Sequence, residues 1–273
     1  GAKPALVIIS PHGQEIRGEF EAKWKTLHPD IPLRWQDQGG SSDDLRFVLA
    51  QFERQKDPEA GIGIDLFFGG GLESFVHLEE KKLLAPLPSD YDVPQQINGV
   101  PLHGAGNTWV GAALSGFGIL YNKTFATRDK LPVPETWNEL GDPRLRNRIE
   151  LADPRHSGSA HAAYEVILQA NGWEEGWRAL SAMSGNARRF TQAASELLQD
   201  VRSGEAVFVP AIDFYARSEV ARSGADKLGY IAPRGQEVVT PDPIGILRGA
   251  PHRKEAEAFV QFVLSPAGQK LWM

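Results

Sequence analysis

The stretch IDLFFGGGLESFVHLEEK, residues 64–81, decides the fold because it joins a buried strand to a helix through three consecutive glycines. Ile64 to Phe68, which is apolar except for Asp65, is predicted as a strand. Leu72 to Lys81 is predicted as a helix. The glycines between them fit either a sterically demanding backbone turn or a loop whose amide groups approach a ligand closely. The stretch therefore predicts one strand–loop–helix unit.

Two similar units precede this stretch. Their strands, turns and helices cover residues 5–10, 11–13 and 14–28, and then residues 31–36, 39–42 and 43–52, with Ser42 or Asp43 as the cap of the second helix. Three such units in a row predict a parallel, doubly wound α/β sheet with right-handed crossovers. Ligands of such sheets bind outside the carboxyl ends of the strands. The residues that fall there, and that we expect to share one rim, are His12, Ser41, Ser42, Gly70 and Gly71.

The remainder of the chain predicts a second lobe. The regular pattern gives way to Pro- and Gly-rich sequence at 84–108, and residues 108–125 are extended and rich in small residues, which suits a crossover. Further strands and helices follow, and the proline-stiffened segment 238–243 suits a return crossover. We therefore expect one lobe of residues 1–110 with 241–273 and another of residues 111–240, with a ligand cleft between the lobes.

A second candidate binding loop lies in the sequence ADPRHSGS, residues 152–159. Pro154 ends the preceding strand, since proline cannot continue a strand ladder. A helix then begins near Ser157, Gly158 and Ser159, with one of the two serines as its N-cap. A helix N-terminus carries unpaired N–H groups and partial positive charge, so this loop could bind an anion. A cap without any ligand is the alternative.

The composition excludes several classes of function. The 273 residues are 41% hydrophobic and 23% charged, as in an ordinary globular protein, and the net charge of -6 supplies no basic field for nucleic acid. No apolar stretch reaches the length of a membrane span, and the start of the sequence at Gly1-Ala2-Lys3 has no signal-peptide pattern, although a signal could have been removed. The absence of cysteine excludes disulfides, thiolate metal sites and a cysteine nucleophile.

Segments along most of the chain resemble the substrate-binding proteins of ABC importers, specifically the ferric-ion-binding-protein-like branch of the type II periplasmic binding fold. These segments are SPHGQEIRGEFE (10–21), GIDLFFGGGLESF (63–75), FGILYNK (117–123), PETWNELGDPRLRNRIELADPRHSGS (134–159), NGWEEGW (171–177), GEAVFVPAIDFYARSE (204–219), VTPDPIGILRGAPH (239–252) and FVQFVLSPAGQKLW (259–272). The resemblance implies two α/β lobes, each a doubly wound and mostly parallel sheet with flanking helices, joined by two crossover segments. Relatives typically continue past the LSPAGQ segment, so we expect either a trimmed chain or a copy excised from a longer protein.

The same resemblance implies a metal site in the ferric-binding relatives: a His in the first loop, a Glu after the third strand, and two adjacent Tyr in the second lobe. His12 matches the first position, whereas Gly70 stands near the Glu position and Phe214–Tyr215 stands at the tyrosine pair. His12 and Tyr215 are therefore the candidate metal ligands. Fe³⁺ needs several anionic oxygens, so these two residues would leave most of its positions to other ligands.

Two aspartates could supply the missing oxygens if both face the cleft. Asp213 has the alternative of capping the helix that begins at Phe214, and Asp242 has the alternative of lying in a turn between two prolines. The choice between a metal site and a structural role stays open for both residues.

The competing ligand is a small anion or an anionic organic molecule, such as a phosphate, phosphonate or carboxylate. Three loops that could offer backbone amides favour this ligand, at residues 41–42, 69–71 and 157–159. The imidazole of His12 and the hydroxyl of Tyr215 could also donate hydrogen bonds to it. Arg188 and Arg217 could add charge, and Trp109 could stack on an organic ligand, although aromatic residues at such junctions usually pack in the core.

We expect a binding protein and not an enzyme. The sequence has no Gly-x-Ser-x-Gly elbow, and Gly69–Gly71 lacks the Lys and Ser or Thr of a phosphate-cleaving loop. The resemblance implies a periplasmic or extracellular monomer that delivers its ligand to an ABC permease, with no cofactor apart from a metal ion or anion bound as the ligand. A ligand-sensing ectodomain of a signalling protein is the alternative, and a hydrolase is the weaker one.

Overall fold

The computed structural model describes residues 3–97, 100–234 and 238–272. The α-helices are α1 (Gln14–Leu27), α2 (Ser41–Glu53), α3 (Leu72–Glu80), α4 (Lys123–Arg128), α5 (Gly158–Asn171), α6 (Trp173–Asn186), α7 (Ala194–Ser203), α8 (Asp213–Ser223), α9 (Arg253–Leu264) and α10 (Pro266–Gln269). The strands are β1 (Leu6–Ile9), β2 (Leu33–Gln36), β3 (Leu66–Phe68), β4 (Leu84–Ala85), β5 (Gln96–Ile97), β6 (Val100–Pro101), β7 (Val110–Asn122), β8 (Ile149–Ala152), β9 (Ala187–Thr191), β10 (Phe208–Ile212), β11 (Leu228–Ile231) and β12 (Val238–Leu247).

The chain divides into two compact units. Unit 1 contains Gly1–Leu114 and Thr240–Met273, and unit 2 contains Ser115–Val239. The chain therefore passes from unit 1 into unit 2 along β7 and returns at the start of β12.

In unit 1 the strand β1 lies between β2 and β3 and is parallel to both. All four of its side chains are buried, as its continuous apolar sequence predicts. β12 pairs antiparallel with β3 and also with β4. Because β1, β2 and β3 are parallel, their carboxyl ends lie at one edge of the sheet, and the loops that lead into α1, α2 and α3 start from that edge. The three predicted strand–loop–helix units are confirmed.

β12 contains the proline-stiffened segment 238–243 that was predicted to be extended. The extended conformation is observed, and the alternative of a turn at Asp242 is wrong, because one strand runs through both prolines and Asp242. Pairing with β3 begins at Ile244, after Pro243, so the missing N–H groups of the prolines do not interrupt that ladder. As a result, the side chain of Asp242 is held by a strand and is buried, with 6% of its surface exposed.

In unit 2 the strands β8, β9 and β10 are parallel, with β8 between the other two. β10 also pairs antiparallel with β7, and β11 pairs antiparallel with the other side of β7. The helices α5, α7 and α8 follow the carboxyl ends of the three parallel strands. Unit 2 therefore has, like unit 1, three helix N-termini along one edge of its sheet.

Each unit has its own hydrophobic core. In unit 1 aromatic rings from α1, β3, α9 and the C-terminal residues pack edge to face, among them Phe20, Phe68, Phe262 and Trp272. In unit 2 the fully buried Trp137 and Phe208 belong to a cluster with residues of β7, β8, α5 and α6. Within the described residues no helix has the length and apolar character that crossing a membrane requires.

Candidate functional site

The loops that follow β1, β2 and β3 contact one another at the sheet edge of unit 1. A Cβ atom on Gly69 would lie 2.4 Å from Nε2 of His12, and a Cβ atom on Gly70 would lie 2.5 Å from Cβ of Ser41 and 3.1 Å from Cγ of Pro11. The triple glycine, Gly69–Gly71, is therefore packed against the two other loops. The structure brings His12, Ser41 and the glycines together, as the sequence predicted for this rim.

The backbone conformation at positions 69, 70 and 71 also requires glycine. The φ angles of Gly69, Gly70 and Gly71 are 92°, 92° and 85°. This left-handed region is accessible to glycine and costs other residues about 1 to 2 kcal/mol each. The positive φ angles support the explanation of a demanding turn. The close contacts of Gly69 and Gly70 in the structure are with His12, Pro11 and Ser41, and an approach of the backbone amides to a ligand stays a prediction.

Glycine is the N-cap of all three helices at this edge. Gly13, Gly40 and Gly71 precede α1, α2 and α3, and none of the three makes a side-chain capping bond within the described part of the chain. The prediction that Ser42 or Asp43 caps α2 is wrong, because the helix begins earlier, at Ser41. The positive ends of three helices therefore lie at one edge of the sheet behind N-cap residues that have no side chain, an arrangement that favours an anion.

His12 lies behind this edge in a buried pair with Asp242. Its Nε2 is 2.9 Å from Oδ2 of Asp242, and the two side chains are 3% and 7% exposed. The imidazole ring packs edge-on to Phe68 at 4.9 Å between centroids and lies 5.4 Å from the ring of Trp272. The pair links the loop after β1 to β12.

The donors that the structure gathers fall short of a ferric site. Within the described residues no three His, Cys, Asp or Glu side chains come together to hold a metal ion. Gly70 offers no carboxylate, and Phe214, which is 8% exposed, stands where a second phenol would be needed. His12 and Asp242 supply one nitrogen and one carboxylate in unit 1, which is too few for a hard trivalent cation.

Two aspartates near the start of α2, Asp37 in the preceding loop and Asp44 in the helix itself, were not predicted as functional. The carboxylate of Asp37 accepts the N–H groups of Gly39 and Gly40, both at 3.1 Å. Asp44 is completely buried in the first turns of α2, and its Oδ1 accepts the N–H of Gln38 at 2.6 Å. The sequence could have indicated the role of Asp37, because its spacing to Gly39 and Gly40 is that of an Asx turn. No local sequence pattern indicates that Asp44 is buried.

In unit 2 Ser157 is the N-cap of α5, as predicted, and its Oγ accepts the N–H of Ala160 at 3.2 Å. The surroundings of Gly158 and of the Ser159 side chain lie outside the described part of the structure. Ser157 borders a cavity of about 20 Å³ whose lining is almost entirely apolar and includes Ala163 and Ala211. The observed bond supports the capping role of Ser157, and its contact with a ligand stays a prediction.

Two further candidates lie at the N-terminus of α8. Asp213 is the first helical residue and not the cap, which is Ile212, and its Oδ1 accepts the N–H of Phe214 at 2.7 Å. Tyr215 is half-buried, and its ring lies 4.5 Å from that of Phe214 between centroids. Their roles toward a ligand remain predictions.

Two other candidate residues, Trp109 and Arg188, contact neighbouring side chains of the protein itself. Trp109 is 4% exposed and packs edge-on to Phe75 in the core of unit 1, so the structure does not support its stacking on a ligand.

Arg188 on β9 donates to the buried Glu150 at 2.6 Å and to Glu205 at 2.7 Å. Burial, followed by the neighbouring Asp200, raises the pKa of Glu150 to about 7. Arg188 therefore compensates a buried carboxyl group, a role that the sequence did not reveal.

Replacing Ser157 separates its capping role from a role in ligand binding. We expect Ser157→Ala to lower the free energy of unfolding by about 0.5 to 2 kcal/mol, because the bond to the Ala160 N–H is lost. Ser157→Thr keeps a capping hydroxyl and should restore most of this stability in urea denaturation. Unchanged stability of the alanine variant would contradict the observed cap, and ligand affinity that falls in both variants would indicate a contact beyond capping.

Comparison with known proteins gives the relatives of the chain. The sequence model of the bacterial extracellular solute-binding proteins matches residues 60–273. The phosphoglycerate transport regulatory protein PgtC of Salmonella typhimurium is 30% identical over 243 residues, which cover 88% of this chain and 59% of PgtC. The chain therefore spans about three fifths of the length of this curated relative.

Two solved structures illustrate the fold. The periplasmic binding protein AfuA from Actinobacillus pleuropneumoniae, with fructose-6-phosphate bound, has a TM-score of 0.84 and 20% identity, and the match covers 98% of this chain and 81% of AfuA. Iron-bound HitA from Pseudomonas aeruginosa has a TM-score of 0.77 and 18% identity, and the match covers 99% of this chain and 84% of HitA. At this identity the likeness shows the fold alone, and it confirms the predicted type II periplasmic binding fold. Since the family's sequence model also matches well over half of the sequence, the chain belongs to the bacterial extracellular solute-binding proteins.

Proposed function

We propose that this chain is the solute-binding component of an ABC importer and that its ligand is a small organic phosphate. It acts outside the cytoplasmic membrane, in the periplasm, as a monomer that passes the ligand unchanged to a permease. The observation that carries the proposal is the meeting of three glycine-capped helix N-termini at one edge of unit 1. A phosphate group accepts several N–H hydrogen bonds at once, which single helix ends provide in many phosphate sites.

Backbone amides suit this ligand better than they suit a metal ion. They donate hydrogen bonds and carry partial positive charge, so they stabilise an anion and repel a cation. Of the two solved relatives described above, AfuA holds a sugar phosphate and HitA holds iron, and the name of PgtC refers to phosphoglycerate. The glycine at position 70, in place of a carboxylate, supports the phosphate class for this chain.

The ligand class is tested by thermal unfolding with 3-phosphoglycerate, fructose 6-phosphate, inorganic phosphate and ferric citrate. At a concentration a hundred times its dissociation constant, a true ligand stabilises the folded state by about 2.7 kcal/mol. We expect the organic phosphates to raise the unfolding temperature, and glycerate and fructose, the matched controls without phosphate, to leave it unchanged. A shift with ferric citrate alone would overturn the proposal in favour of iron.

The non-enzymatic role has its own measurement. After prolonged incubation with the chain, the bound phosphate ester should give an unchanged ³¹P NMR spectrum. Release of inorganic phosphate at a rate above that of buffer would contradict a pure binding function.

A sensing role is the second candidate, because the name of PgtC describes a transport regulatory protein. Ligand binding alone does not separate the two roles. Ligand uptake by membrane vesicles that requires addition of the chain would identify an importer component, whereas a transcriptional response without any effect on uptake would identify a sensor.

A further inference from the structure

Arg17 differs from the other half-buried arginines of the protein. Within the described residues these arginines are Arg17, Arg148 and Arg248. Arg148 is paired with Asp129, and Nε of Arg248 lies 2.5 Å from Oε1 of Glu59. Arg17 has no ion pair in the described part of the chain, and its Nε is buried there without a hydrogen-bond partner. A buried donor without an acceptor is costly, and more so when it is charged, so this position requires an explanation.

The place of Arg17 in α1 adds to this cost. Arg17 ends the first turn of the helix, and its backbone N–H donates to the carbonyl oxygen of the N-cap residue Gly13 at 3.1 Å. A cation is unfavourable here, because a helix N-terminus carries partial positive charge. Glu21, the acid one turn further along α1, is bonded elsewhere, since its Oε2 accepts the indole N–H of Trp35 at 2.8 Å. The described surroundings therefore supply no negative charge to Arg17.

Arg17 lies on the face of α1 that carries Gly13. Residues four apart are neighbours on a helix, and long helical side chains lean toward the N-terminus. Four residues of helix rise about 6 Å, which an arginine side chain can span. Gly13 has no side chain, and a Cβ atom there would meet nothing within 4 Å, so the space beside this N-cap is open. Gly13 is one of the three N-caps at the sheet edge to which the phosphate is assigned.

We propose that Arg17 is a phosphate-binding residue, whose guanidinium group pairs with phosphate oxygens of the ligand at the N-terminus of α1. This inference rests on the proposed function, because its ligand is the organic phosphate. A guanidinium group can donate two parallel hydrogen bonds to a phosphate, and binding would provide the acceptor that Arg17 lacks in the free protein. The helix ends contribute partial charges, and Arg17 adds a full positive charge that favours a phosphate ester over a neutral sugar.

The experiment measures the affinities for 3-phosphoglycerate and glycerol 3-phosphate by calorimetry at pH 7.4. The two esters share the phosphate group and differ in the carboxylate. We expect Arg17→Gln to weaken the binding of both esters about 10- to 100-fold, the loss typical of a hydrogen bond to a charged group. Arg17→Lys keeps the charge without the planar fork and should recover part of this loss. A loss confined to 3-phosphoglycerate would overturn the contact with the phosphate.

Lys25→Gln is the matched control. Lys25 is a basic residue in the last turn of the same helix, about 12 Å from Arg17 along the axis. Its removal changes the net charge by the same amount as Arg17→Gln, but at a distance where salt screens most of the effect. Lys25→Gln should therefore change both affinities by less than about twofold. An equal loss in the two variants would mean that the net charge matters and the position of Arg17 does not, which would overturn the inference.

Urea denaturation without ligand separates binding from a structural role. Arg17→Gln removes an unpaired charge from the positive end of a helix, so the urea midpoint should stay the same or rise. Lys25→Gln removes a cation that is favourable at the negative end, so its midpoint should fall slightly. A lower midpoint for Arg17→Gln with unchanged affinities would identify a structural residue and overturn the inference.

Failure of this inference and failure of the proposed function are distinguishable. If neither ester binds to the unmodified protein, the proposed function fails, and the binding role of Arg17 fails with it. If both esters bind equally well to the unmodified protein and to Arg17→Gln, the proposed function stands and only the role of Arg17 is wrong.

Discussion

Gly70→Ala should destabilise unit 1 by about 2 to 5 kcal/mol and weaken binding of an organic phosphate at least tenfold. Two effects add. The φ of 92° costs an alanine about 1 to 2 kcal/mol, and its Cβ, placed 2.5 Å from Cβ of Ser41, forces a displacement that costs about 1 to 3 kcal/mol more. The displaced atoms belong to the first residue of α2, so the helix N-terminus moves away from the other two. Urea denaturation and calorimetry measure the two effects.

Gly63→Ala is the matched control for this variant. Gly63 has a similar φ of 79° and lies in unit 1, but a Cβ atom there would meet nothing within 4 Å. The Gly63→Ala variant should therefore lose only about 1 to 2 kcal/mol of unfolding free energy, which is the cost of the positive φ, and it should bind the organic phosphate as tightly as the unmodified protein does. Equal stability losses in the two variants would mean that the contact of Gly70 with Ser41 is not tight, and undiminished binding by Gly70→Ala would contradict the anion site.

His12→Ala is expected to lower the free energy of unfolding by about 3 to 5 kcal/mol. The substitution leaves the carboxyl group of Asp242 buried without its 2.9 Å partner, and removal of one member of a buried pair is among the costliest single changes. It also removes a ring that packs against Phe68 and Trp272, which leaves a cavity. Denaturation in urea, with the double variant His12→Ala/Asp242→Ala to close the cycle, measures the coupling between the two side chains.

His77→Ala provides the comparison. His77 and Glu73 form a pair of the same chemical type in unit 1, at 3.9 Å and with both side chains 40% exposed or more. Its removal should change the stability by less than about 0.5 kcal/mol. If His12→Ala has a similarly small effect, the pair with Asp242 does not support the fold. A ligand role for His12 would then be the better explanation of its position.

The sequence predicted much of the sheet and little of the electrostatics. Periodicity and glycine placement located β1, β2 and β3, the helices that follow them and the rim at their carboxyl ends, because these features depend on neighbours in the chain. For Asp242 the sequence left a turn as the alternative to extended chain, and the strand that pairs with β3 after Pro243 decided for extended chain. For Trp109 it left core packing as the alternative to stacking on a ligand, and the contact with Phe75 decided for the core.

The sequence by itself determined that the chain has strand–loop–helix units with a triple glycine after the third strand, since local hydrophobic period and glycine conformations are properties of short segments. Only the tertiary structure decided that Gly69 and Gly70 pack on His12 and Ser41, that Asp242 faces His12, and that Asp44 is buried with its Oδ1 on the N–H of Gln38. Burial and the pairing of charges depend on residues that are distant in the chain.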